Sequence, residues 1–409
     1  MQFRKSFHKG LDLNSLLKHV QLTFGKAILN SNDCNHLADD VYKETGVSLS
    51  PQTLRRVFGL IESRTAASDH TILVLCKYCG FNSVSQFSLH ANPENGLDHI
   101  KLHEARIYEA FFDIEVPPIG KHQINREYFN AIRNIVKRVY TDIDLYNALI
   151  PMIAHNPTAH EYLFEQFPFV DGFGRGFAIG YSFYIKNKLD PDAQVFGNAM
   201  LFLAAILQQD DASIKKYLDA INAVNLKDVK HPFIIARYIG SNLLFHHYHR
   251  NLELKNQWLN MAIDYLKNSP NEHGHYDLNI EYELMISEYL TLTSCYQWVI
   301  FILKPILEAD TLNTKELDEG FWVNPMRIML FKSLTYSNRV KEAKQILPTI
   351  KIINWLVQDY YTVHILDTKI KLSTIKAEKN ELENTLKRLL NKTKFMFFNS
   401  LESISEVKS

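Results

Sequence analysis

Glycine and proline are scarce in this 409-residue chain, 15 and 13 residues respectively, and regular alternation of apolar with polar residues is almost absent. A sheet-rich fold needs period-two alternation and frequent turn residues, so that class is excluded. Cysteine is scarcer still. Four residues are too few for a disulfide framework and suit a reducing compartment. Neither sign of charge dominates, because 45 Lys+Arg stand against 45 Asp+Glu. That balance argues against polyanion binding by the whole molecule and leaves any nucleic-acid site as a local patch. Long apolar runs are missing too: the longest, such as 199–207 (AMLFLAAIL), are about half of the ~20 residues needed to cross a bilayer. No membrane partner is expected. The opening MQFRKSFHKG carries basic residues with no apolar stretch behind them, unlike a secretory signal, and a cytoplasmic location is the expectation.

What the chain does have is apolar residues, 46% of the total, recurring at three- and four-residue spacing nearly end to end. An all-α fold follows. At ~100–200 residues per domain, two or three units are expected. The turn-forming stretch Ala91-Asn92-Pro93-Glu94-Asn95-Gly96 interrupts the periodicity, which predicts a helical bundle over 1–92, a larger helical domain over 97–396 and a tail over 397–409. Within the bundle, 12–29 reads as an amphipathic helix with Leu13, Leu16, Leu17, Val20, Phe24 and Ile28 on one stripe. A second helix carries Leu37, Val41 and Tyr42 and stops at Gly46. Ser50 before Pro51 is a helix start, since the serine oxygen can accept from orphan amides and proline fits the first turn. The helix it opens, over 51–60, turns Leu54, Val57, Phe58 and Ile61 inward and Gln52, Thr53, Arg55 and Arg56 outward. Ser68 opens an apolar helix ending at Gly80, and Ser83 a last short one.

A helix, a tight turn at Thr45-Gly46-Val47-Ser48 and a short helix presenting Gln52, Thr53, Arg55 and Arg56 is the arrangement with which helix-turn-helix proteins read a major groove. Arg can donate two bonds to guanine and Gln can bond adenine bidentately. Over 1–92 there are ten Lys/Arg against seven Asp/Glu, with Arg4, Lys5 and Lys9 at one end and Arg55 and Arg56 on the short helix, where they can meet phosphates. A solvated face of a bundle would use the same residues. The stretch Leu37-Ala38, Gly46-Val47-Ser48, Thr53-Leu54-Arg55-Arg56, Gly59, Ser68, Thr71-Ile72-Leu73, Tyr78-Cys79-Gly80-Phe81-Asn82-Ser83 and Phe87 resembles the λ-repressor-like helix-turn-helix fold. It resembles still more the N-terminal helix-turn-helix module of many Bacteroidetes proteins, in which LSPxTLRRxFG is followed by TLxxLxxYxGFxS. The resemblance covers about a fifth of the chain. It implies that the helix opened by Ser50 and Pro51 is a recognition helix on double-stranded DNA, with Gln52, Thr53, Arg55 and Arg56 facing the duplex. Leu49-Ser50-Pro51 lengthens the turn relative to the usual repressor spacing, which bears on base readout more than on phosphate contact.

Beyond residue 97 the helices pair into hairpins: 193–208 with 211–223, 232–249 with 255–267, 276–290 with 295–308, 324–336 with 338–349, and 354–374 with 378–394. Their starts recur every ~35–45 residues, the period of helical repeat arrays, and predict an α-solenoid. Asn338-Arg339-Val340-Lys341-Glu342-Ala343-Lys344-Gln345-Ile346-Leu347 is similar to the second helix of a tetratricopeptide repeat, so the array resembles a divergent tetratricopeptide-like one. Such arrays expose an inner face to peptides or proteins. Polar residues on the first helices of the hairpins are then the ligand candidates: Arg237, Tyr238, Asn242 and His246 on one, Asn324 and Arg327 on another. Pairing between repeats is the competing role for Arg237 and Arg327.

Other clusters carry less. Asp171-Gly172-Phe173-Gly174-Arg175-Gly176 has close glycines but no strand before it and no GK[ST] after it, and reads as a helix-to-helix turn. His246-His247-Tyr248-His249 with His273 and His275 lacks a recognised ligand spacing, and Cys76-Lys77-Tyr78-Cys79 lies in an apolar helix, where packed thiols are expected; Cys34 and His36 would have to join them to make four ligands. No cofactor, metal or catalytic signature is found, and the chain reads as a non-enzyme. A helix-turn-helix joined to such an array resembles the architecture of peptide-sensing transcription regulators of Gram-positive bacteria, which implies a regulator whose array senses a peptide or protein and forms a homodimer. Trp355, Tyr360, Tyr361, Phe395, Phe397 and Phe398 offer the adhesive surface for that dimer, unless the segment after Lys394 folds back over its own last hairpin. The alternative function is an interaction scaffold whose bundle does not touch DNA.

Overall fold

A computed structural model describes residues 13–61, 67–84, 87, 99–114, 126–268, 277–308, 322–352 and 354–399. Arg4, Lys5, Lys9, Arg64, the stretch 91–96, His273 and His275 lie outside the described residues. Among those described the regular structure is helical and there is no strand, so the fold is all-α, and no helix is long and apolar enough to cross a membrane. The chain divides into two units, Met1–Tyr128 with Lys137–Ile153, and Phe129–Val136 with Ala154–Ser409.

In the first unit α1 (Leu13–Phe24) is shorter than its apolar stripe suggests, because Gly25 takes the left-handed conformation, φ 80°, and Ile28 packs into the core from the connection instead. Asn30 and Asp33 cap α2 (Ser31–Thr45) reciprocally, and Gly46 closes it in the left-handed region with its N–H bonded to the Tyr42 carbonyl. Ser50 accepts from Thr53 N at 3.0 Å and starts α3 (Pro51–Val57), which ends earlier than expected, at a turn through Gly59. Ser68 caps α4 (Asp69–Tyr78) in the same way. Leu16, Val20, Cys34, Leu37, Val41, Leu54, Ile72, Leu75 and Cys76 form the core. Tyr42, on α2 beside the buried Val41, is 58% exposed. Cys34, Cys76 and Cys79 are packed in this core as expected, and burial pushes the Cys76 thiol up to about 12.

The same unit includes α5 (His99–Phe112) and α7 (Ile143–Ile153), which pack on each other; α6 (Arg126–Val139) lies between them in the chain. Lys101 reaches Asp142 and Asp144, both at 3.1 Å, and Arg138 reaches Glu104 at 2.9 Å.

In the second unit α8 (Gly180–Asn187) precedes five helix pairs: α9 (Pro191–Gln208) with α10 (Asp211–Ala223), α11 (Pro232–Tyr248) with α12 (Leu252–Asn268), α13 (Asp277–Leu292) with α14 (Tyr296–Glu308), α15 (Asn324–Tyr336) with α16 (Val340–Ile346), and α17 (Gln358–Leu372) with α18 (Lys376–Thr393). These are the hairpins that the periodicity predicted, to within a few residues. The first helix of each pair also packs against the first helix of the next, so α9 and α11 are buried almost all round. Gly240 makes the α11–α13 contact close: a Cβ there would collide with the Tyr289 ring. Phe395, Phe397 and Phe398 are buried, with Phe398 edge-on to His364 at 5.1 Å and Phe395 edge-on to Tyr360 at 6.2 Å. The segment thus folds back on its own hairpin. This corrects two expectations, a tail beginning at residue 397 and a dimer surface made of Tyr360, Tyr361 and the C-terminal phenylalanines.

Candidate functional site

On the first unit, the five-residue connection 46–50 joins α2 to α3. Leu54 is fully buried and anchors α3, which turns Gln52 and Arg56 to solvent. The other two predicted residues are engaged within the bundle. The Thr53 hydroxyl lies 2.8 Å from the Ser50 hydroxyl, and Arg55, half-buried, donates from Nη2 to Asn35 at 3.3 Å.

The predicted ligand residues of the second unit separate more sharply. Asn242 is 1% exposed. Its amide donates to Asn222 at 2.8 Å and to the Tyr238 carbonyl at 3.0 Å, and accepts from Asn222 at 3.0 Å. Those bonds tie α11 to α10, so Asn242 is a packing residue in this structure and not an open polar contact. Tyr238 is likewise buried, beside Trp258. Arg327 donates to the Thr349 carbonyl at 3.2 Å, and the buried Asn324 accepts from Lys351 N at 3.0 Å; both fasten the turn after α16.

Arg237 is different. It lies in the wall of a cavity of about 630 Å³, built from α9, α11, α13, the start of α15 and the segment leading into α17. The size suits a small ligand. Arg237 is 5% exposed, with its guanidinium 4.7 Å from the Phe233 ring centre and 5.5 Å from that of Phe196. Its Nε has no hydrogen-bond partner. Glu288 lines the same cavity; burial pushes its carboxyl above the usual carboxylate range, against the pull of the Arg237 charge and the nearby Tyr360 hydroxyl. That hydroxyl is itself buried and has no hydrogen bond of good geometry among the described residues.

Other charged groups of the wall are spoken for. Glu165 accepts from Lys188 and, at 2.7 Å, from Tyr184. Asp190 caps α9 through Ala193 N at 2.9 Å, and Asp192 accepts from Lys230 N and His231 N at 3.0 and 3.2 Å. Glu281 lies 3.4 Å from His231.

The glycine-rich turn has a structural role. Asp171 is buried and accepts from Asp359 N and Tyr360 N at 2.7 and 2.8 Å, capping α17, while its own N–H donates to the Leu356 carbonyl at 3.2 Å. Leu356 and Val357 line the cavity, so this clasp positions one wall. Glu288, Tyr360 and Asp171 were not singled out as site residues from sequence; their spacing carries no motif, and only the packing of α11, α13 and α17 brings the first two to Arg237. Among the described residues no group of three or more His, Cys, Asp or Glu is arranged to hold a metal. No protein-family model, curated protein or solved structure matches this chain.

Proposed function

We propose that the chain is a DNA-binding regulator, with α3 as the helix that meets duplex DNA and the helical array as a dimerising, ligand-sensing domain. The observation that carries this reading is the capped α2–α3 pair with Gln52 and Arg56 turned to solvent on the second helix. Arg55 joins them by exchanging its bond to Asn35 for a phosphate, and Thr53 contributes at the helix start. A second reading, the interaction scaffold, is favoured by one fact: Thr53 and Arg55 already have partners inside the bundle.

Fluorescence anisotropy on duplex DNA across a salt series separates the two. The regulator binds with an affinity that falls steeply with salt, and Arg55→Ala with Arg56→Ala lowers the salt slope by about two, near 0.9 for each phosphate no longer neutralised. Unchanged affinity in a folded double variant removes the assignment of these residues. No salt-dependent binding by the wild type leaves the scaffold.

A further inference from the structure

We propose that the cavity between α9, α11, α13 and α17 binds a ligand with a carboxylate group and an apolar body, and that the carboxylate docks on Arg237. This rests on the reading of the array as a sensor and gives that sensor a ligand class.

The argument starts from the cost of a buried cation. A guanidinium taken out of water needs an ion pair or a full set of acceptors, and without them its lost hydration is not offset. Arg237 is only 5% exposed, yet no carboxylate of a described residue lies within ion-pair distance of it, and its Nε is orphaned. The Phe233 and Phe196 faces and the neighbouring Tyr289 hydroxyl offset part of that cost. They do not supply a counter-charge.

Glu165, Asp190 and Asp192 are committed to Lys188 or to backbone N–H groups, and Glu281 lies beside His231 at 3.4 Å. Glu288 is the one nearby carboxyl acting on Arg237, and burial favours its neutral form. A ligand anion therefore meets a guanidinium that lines the cavity without a counter-charge, and a carboxylate supplies that charge. Beyond the guanidinium the wall turns apolar through Phe196, Leu284, Met285, Trp322 and Tyr361, which selects a ligand whose remainder is hydrophobic. Such a carboxylate comes either from a free organic acid or from the end of a short peptide, and about 630 Å³ has room for either.

The test is calorimetric titration of the full chain, without DNA, with 3-phenylpropionate and with leucyl-phenylalanine, each beside its amide. The expected result is binding of at least one acid, at least tenfold tighter than its amide, with that preference lost in Arg237→Gln. Preference for the free acid identifies a small-molecule source, and preference for the dipeptide a peptide end; both support the proposal. If neither acid binds better than its amide up to millimolar concentration, the proposal is overturned, and this comparison needs only the wild type, so a misfolded variant does not obscure it. The acids' failure leaves the DNA reading untouched, because that reading falls only with the loss of salt-dependent duplex binding.

Discussion

A single buried carboxyl shows how strongly the second unit depends on protonation. Asp171 is pushed up to about 7 by burial, with Asp359 adding to the rise, while the N–H groups of Asp359 and Tyr360 and the Lys392 charge pull the other way. Its ordinary value is 3.8. Because the folded value is the higher one, the folded state holds a proton that the unfolded state has released between about pH 4 and 7, so stability falls as pH rises through that window. The whole effect is up to roughly 4 kcal/mol, since each tenfold change in proton affinity is worth about 1.36 kcal/mol. Urea unfolding of wild type and Asp171→Asn at pH 4.5, 5.5, 6.5 and 7.5 checks this: the variant declines less steeply than the wild type, and a difference between the two that stays flat with pH contradicts it. The role of Asp171 could not be read from Asp171-Gly172-Phe173-Gly174-Arg175-Gly176, whose spacing shows a turn but not the distant helix start that the aspartate caps.

At the scale of elements, the sequence showed pairs of helices well and their faces poorly, and the reason lies in burial. Helices such as α2 and α10 begin and end within a residue or two of their predicted ends, because capping residues act locally. The inward stripe of α11 was not legible. Residues Ile234 to Leu244 are buried on every side of that helix, so polar residues at helical spacing do not mark an open surface. That is why Asn242 and Tyr238 proved to be packing residues while Arg237, on the same helix, lines a cavity. Gly240 sits between Tyr238 and Asn242 and sets how near α13 approaches. Gly240→Ala forces the Tyr289 ring to move, and such overpacking costs about 1–3 kcal/mol. The midpoint of urea unfolding reports the loss, and an unchanged midpoint shows that the helices yield without cost.

For the molecule as a whole, the C-terminal phenylalanines decide what truncation means. Phe395, Phe397 and Phe398 are all buried against the last hairpin, and burying a side chain of this size contributes about 1.5–3 kcal/mol. Removal of every residue from Phe395 onward lowers the melting temperature of the chain, whatever its mass in solution. Calorimetric melting beside light scattering checks both quantities on one sample, and an unaltered melting temperature shows that the folded-back segment contributes nothing. Dimerisation, a part of the proposed regulator, then has to use another surface.

The bonds from Asp171 to Asp359 and Tyr360 join positions 188 and 189 apart in sequence. A stack of repeats held only by neighbour contacts frays from its ends, each unit melting at its own free energy. Here the stretch before the first pair grips the start of the last one, so the terminal pair cannot peel away until that grip has opened. The linkage ties helix pairs far apart in sequence into one cooperative body whose late closure waits on a contact of very long sequence separation.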